Sequence, residues 1–140
     1  MASFRSAFAN QRGRECLIGH LGIKLLEAGD DYLKASMPVD RRTTTPAGVL
    51  HGGASVAFAE TLATWAAAFS VDSSRHHCVG LEINANHLRP AKGGFIYGVA
   101  RPVHRGRTTH VWEVRLTDES EKLVCISRIT VMVLDTPVQC

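Results

Sequence analysis

Glu60 is the only charged residue between Ala54 and Ser70, and it follows the doublet Gly52-Gly53 by eight positions. A lone carboxylate is costly to bury unless something pairs with it or uses it. Carboxylates in such apolar surroundings concentrate at reactive sites. Glu60 is therefore expected to act as a base or a nucleophile, against the plainer reading of a structural carboxylate held by backbone or an arginine. Thr64 lies four residues further on, hence on the same face of a helix. Its hydroxyl can orient the carboxylate or hold a water for it. Upstream, Pro46-Ala47-Gly48-Val49-Leu50-His51-Gly52-Gly53 leads into the same apolar run. The free N–H groups at a helix start attract negative charge, and glycine there lets a ligand approach the backbone closely. An ester or thioester carbonyl at that point would have its developing oxyanion stabilised, one such donor lowering the barrier by about 3 kcal/mol. The plainer alternative is that Gly52-Gly53 only allows tight packing of the helix end.

The spacing adds a constraint. Eight residues at about 1.5 Å per residue separate Gly52 and Glu60 by roughly 12 Å along the helix axis. A base and an oxyanion hole serving one carbonyl must both lie within hydrogen-bond reach of it. One straight helix does not satisfy this. Two antiparallel copies do, with Gly52 of one chain facing Glu60 of the other, so an obligate dimer with two shared sites is expected.

The elements that must carry these groups can be read from periodicity. Phe4 to Cys16 has helical spacing, and Gly22–Glu27 and Tyr32–Val39 are strand-like runs around the turn Ala28-Gly29-Asp30-Asp31. Asp40 to Leu50 reads as a loop, and Gly52 to Phe69 as one long alanine-rich helix, apolar on nearly all sides and so placed centrally. Val79, Leu81, Ile83 and Ala85 alternate with Gly80, Glu82, Asn84 and Asn86 in strand fashion. Phe95–Val103, the alternating run around Trp112, and Leu123–Leu134 follow, joined by short turns, with Pro102 marking a bulge or an edge. Short turns force antiparallel pairing. The expected fold is α+β, one long central helix wrapped by a curled antiparallel sheet, with residues 1–140 as a single domain.

Composition excludes several functions. A net charge of +3 without a basic run does not suit nucleic acid. Cys16, Cys78, Cys125 and Cys140 are widely spaced, as expected of reduced thiols in a cytoplasmic protein. The N-terminal residues, with three arginines and no apolar core, do not resemble a secretory signal. The Ala54–Ser70 stretch has a carboxylate at its middle and is read as a buried helix, not a membrane span. The seven histidines show no metal-ligand spacing, with His76-His77 read as a loop pair, and no serine-hydrolase elbow or phosphate loop occurs. Arginines recur at Arg89, Arg101, Arg105 and Arg107, where they suit phosphates or simply solvent.

The runs Gly48-Val49-Leu50-His51-Gly52-Gly53-Ala54-Ser55, Ala59-Glu60-Thr61-Leu62 and Val79 to His87 together resemble the hotdog-fold acyl-CoA thioesterases. The likeness spans about Thr43 to Val133 and is nearest the branch of the Arthrobacter-type 4-hydroxybenzoyl-CoA and the 1,4-dihydroxy-2-naphthoyl-CoA thioesterases. It implies an acyl- or aroyl-CoA substrate, no cofactor, and a site built across a homodimer that commonly pairs again into a homotetramer. Glu60 matches the family's helix carboxylate, Gly52 the residue whose N–H polarises the carbonyl, His51 the histidine beside it, and Thr64 the hydroxyl that positions the carboxylate. His87, Arg89, Gly106, Arg107 and Thr108 fall where the family meets coenzyme A. Thr45 departs from the pattern, since close relatives carry Gln or Asn there. The rival expectations are hydrolysis of carrier-protein-bound acyl groups, a hotdog dehydratase or hydratase, and a non-catalytic acyl-CoA-binding module.

Overall fold

The computed structural model describes Asn10 and residues 14–137. Most of the helix expected over Phe4–Cys16 therefore lies outside the described residues. A one-turn helix, α1 (Leu17–His20), leads into the hairpin β1 (Lys24–Ala28) and β2 (Leu33–Pro38). The central helix α2 (Gly52–Phe69) follows, then β3 (His76–His87), β4 (Phe95–Arg105), β5 (Thr109–Thr117) and β6 (Leu123–Asp135). All six strands form one antiparallel sheet in the order β1-β2-β4-β5-β6-β3. The His76-His77 pair is thus the start of a strand and not a loop, and Nδ1 of His76 stands 3.1 Å from Oδ1 of Asp135 at the strand end.

The sheet curls around α2. Phe58, Leu62, Ala63 and Ala67 of the helix are fully buried against Leu33, Ile96, Trp112, Leu116 and Ile129 of the strands. Burial of large side chains of this kind contributes about 1.5–3 kcal/mol each before chain entropy is counted. The wrapping is not complete. Ala57, Glu60, Thr61, Thr64 and Trp65 share a helix face that is only half-buried. Among the described residues, no helix is long and apolar enough to cross a membrane.

Two of the irregularities in the pairing bear on the sequence reading. The one between Pro102 and His104 fulfils the expectation set by the proline. The other lies in β3 between Gly80 and Glu82, where one extra residue enters the strand and breaks the inside–outside alternation. As a result Val79 and Leu81 are 39% and 60% exposed, while Ile83 and Ala85 pack against the core.

Candidate active site

The loop before α2 is anchored from beneath. Thr43, 1% exposed, donates its hydroxyl to the Pro38 carbonyl at 2.7 Å and accepts from the Asp40 N–H at 3.1 Å. Its own carbonyl receives the His51 N–H at 2.8 Å, and Leu50 N–H reaches the Ala91 carbonyl at 2.7 Å. The Arg42 guanidinium, 2.7 Å from Asp40, holds that carboxyl below its ordinary value and closes the same turn. Gly48 takes a left-handed φ of 78°, which only glycine adopts freely, so the chain can turn into the helix. Thr43 drew no functional reading from the sequence, because nothing local distinguishes it from Thr44 and Thr45.

At the helix start, His51 is the N-cap and its Nδ1 accepts from the Gly53 N–H at 2.8 Å. Nδ1 is thereby an acceptor, so any ring proton of the neutral imidazole sits on Nε2. This spends the Gly53 amide on a cap. The Gly52 amide, in the first turn, has no hydrogen-bond partner among the described residues and is left as a donor. His87 stands beside it: a Cβ on residue 52 would lie 3.0 Å from the ring's Nε2. Gly52 and His87 open together onto a cleft of about 410 Å³ lined also by Leu50, Ser55 and Arg89. His87 thus lies at the helix tip, nearer the candidate oxyanion position than the sequence suggested.

Glu60 opens elsewhere. It lines a groove of about 330 Å³ with Leu17, Ile18, Ala57, Thr61, Thr64 and Trp65. The groove walls are largely apolar, and α1 supplies two of them, a contribution invisible before the tertiary fold is known. Thr61 spends its hydroxyl on the Ala57 carbonyl at 2.7 Å. No described residue hydrogen-bonds the Glu60 carboxylate or the Thr64 hydroxyl, and both remain available to a ligand or water. Glu60 is half-buried, so its side chain reaches the groove.

The remaining candidates separate clearly. Gly106 and Arg107 lie past the other end of α2, in a depression with Arg105, His76, Asp72 and His110. His110 is 3% exposed and accepts from Trp112 Nε1 at 3.4 Å. Its burial first, then the charge of Arg105, hold its pKa below the ordinary value. Thr108 uses its carbonyl on the Val133 N–H at 2.9 Å. The Thr45 hydroxyl is buried and has no hydrogen-bond partner among the described residues, and Thr45 is not among the residues lining the cleft. One chain therefore joins Gly52, His87 and Arg89 at one opening, Glu60 and Thr64 at a second, and Gly106 and Arg107 at a third, with His51 capping the helix beside the first. Among the described residues, no group of three or more His, Cys, Asp or Glu side chains could hold a metal ion.

A six-stranded antiparallel sheet curled on one long helix, with a free amide at the helix tip and a carboxylate at its middle, is the hotdog arrangement. The chain belongs to the thioesterase superfamily, whose sequence pattern matches residues 47–125. It is 44% identical over 125 residues to the 1,4-dihydroxy-2-naphthoyl-CoA hydrolase of Escherichia coli, covering 89% of this chain and 91% of that one. A crystal structure of a thioesterase from Pseudomonas aeruginosa superposes with a TM-score of 0.91 at 46% identity, covering 94% of each chain. Two alanine variants of one Staphylococcus aureus protein superpose at TM-scores of 0.84 and 0.81, with 35% and 36% identity over 86% and 84% of this chain and 100% and 97% of those chains. One replaces a glutamate, the other a glutamine fifteen positions before it.

Proposed function

We propose that this protein hydrolyses an acyl- or aroyl-CoA thioester to the free acid and the thiol, at a site shared between two copies of the chain. The observation that carries the reading is the division of the site. The free amide of Gly52 and the unpartnered carboxylate of Glu60 open onto different clefts of one chain. Yet a carbonyl needs both within a few ångström. Between chains the two halves meet, and β3, which runs beside Glu60 at the sheet edge, is the strand left free to pair with a second copy.

In the assembled site the thioester oxygen accepts from the Gly52 N–H of one chain. Glu60 of the other removes a proton from a water held with Thr64, and the water oxygen attacks the carbonyl carbon. The tetrahedral oxyanion is stabilised at the helix tip. The C–S bond then breaks and the thiolate recovers the proton held by Glu60. No cofactor enters. The groove lined by Leu17, Ile18 and Trp65 takes the acyl group, and Arg89, Arg105 and Arg107 supply charge for nucleotide phosphates. Thr45 stands fifteen residues before Glu60, the spacing of the two positions replaced in the S. aureus protein. Here its buried hydroxyl leaves the carbonyl to Gly52 and the neighbouring histidines.

The test is direct. Glu60→Gln keeps the shape and removes the base, so turnover of an aroyl-CoA should fall by about 10³-fold or more while thioester binding survives. Near-normal turnover would remove Glu60 from the chemistry. Single turnover in ¹⁸O-water should place the label in the product acid. Label in the Glu60 carboxylate would instead mean direct attack by the side chain.

A further inference from the structure

Gly80 has no backbone reason to be glycine. Its φ is outside the left-handed region, which among the described glycines only Gly22, Gly48 and Gly94 occupy. A β-strand position with ordinary dihedrals accepts alanine readily, and glycine there weakens the strand. Space is the obstacle. A Cβ built on residue 80 would overlap Oε1 of Glu60 and stand 3.3 Å from its Cδ and 3.5 Å from its Cγ. The three nearest atoms all belong to that one side chain.

The surroundings sharpen this. No hydrogen bond from a described residue orients the Glu60 carboxylate, so packing alone selects its rotamer. The space that a side chain on residue 80 would need is taken by the end of Glu60. The bulge begins at the same residue: Gly80 pairs with Val131, the next paired residue is Glu82, and Leu81 is turned out to solvent. Bulges bend a strand and re-aim what lies beside them.

We infer that Gly80 is a positioning residue for Glu60. Its missing side chain forms the seat for one carboxylate oxygen beneath the edge strand, which leaves the other oxygen to handle the proton. This rests on the proposed role of Glu60 in hydrolysis. A methyl at residue 80 displaces the carboxylate by about an ångström, a misplacement that costs on the order of 10²-fold in rate.

Gly80→Ala should therefore lower kcat by about 10²-fold with KM changed by less than about threefold, the dimer and the circular dichroism spectrum staying as in the parent. Glu60→Asp withdraws the carboxylate by one methylene, so in that background the alanine penalty should shrink to about threefold or less. A Gly80→Ala kcat within about twofold of the parent would overturn the inference, and so would equal penalties in both backgrounds. If Gly80→Ala alone does not fold, the double variant decides: recovery of folding shows that the obstacle is Glu60, and continued failure sinks the inference. Should Glu60→Gln prove fully active, the reaction reading fails. The seat would still be visible as coupling between Gly80→Ala and Glu60→Asp in thermal midpoint.

Discussion

The two edges of the sheet are built on opposite plans. β1 is five residues long, carries Lys24 and Glu27, and has a bulge between Leu25 and Glu27. Its backbone is also capped from outside. The Asn10 side chain accepts from the Leu25 N–H at 2.9 Å and donates to the Leu25 carbonyl at 3.2 Å. β3 is twelve residues long, pairs only with β6, and presents Val79 and Leu81 to solvent. Short length, charge and an external cap are how proteins stop an edge from recruiting another strand. A long, uncovered, partly apolar edge does the reverse. The open edge is also the one whose Gly80 lies against Glu60, so the proposed assembly and the proposed chemistry share one strand.

The comparison can be broken most sharply at β3. Val79→Lys with Leu81→Lys alters only exposed side chains, so the monomer should fold while the dimer dissociates and activity falls by about 10²-fold or more. Light scattering on the eluting protein, paired with a thiol-release assay, reads both effects. Leu26→Lys on β1 should change neither. Next in size is complementation. Mixing equal amounts of Glu60→Gln and a Gly52→Pro variant, which lacks the donor amide, should restore about a quarter of parental activity, since half the dimers are mixed and each has one intact site. No recovery after verified subunit exchange would mean each chain holds a complete site. A smaller effect belongs to β1: Asn10→Ala should cost about 1 kcal/mol in denaturant unfolding and leave assembly and kcat unchanged.

An effect of similar size comes from neither edge. His110 in β5 is held neutral by burial, with Arg105 and His104 adding unfavourable charge. Its folded pKa lies below 6.5, so the unfolded chain binds more protons as the medium acidifies. The stability this neutral histidine contributes is complete above pH 6.5 and is lost as pH falls through the folded value. Thermal midpoints should decline from pH 7 to pH 5, with this residue supplying at most about 1.4 kcal/mol per pH unit. Part of that slope should vanish in His110→Asn.

Much of this was legible in the chain itself. The alanine-rich run from Gly52 to Phe69 is the helix, end to end, and Pro102 marks a real bulge, because caps, periodicity and proline act locally. Val79 and Leu81 misled, for a bulge inserts one residue and nothing in an alternating pattern announces it. Glu60 was found by being the one charge in an apolar run, whereas its seat was not. Gly80 looks like any strand glycine until Glu60 is placed against it. His87 was placed near a ligand by resemblance alone, and its proximity to Gly52 joins residues thirty-five apart.

By itself, the order of residues determined which segments become helix and strand, and it singled out one carboxylate in an apolar run and a glycine pair at a helix start. These depend on neighbours within a few positions. Only the tertiary structure decided that β3, third of the strands in the chain, lies outermost beside the last one, and that Glu60 and Gly52 face separate openings. Strand order and cleft walls are set by contacts between distant segments competing for one core, and no local pattern encodes the winner of that competition.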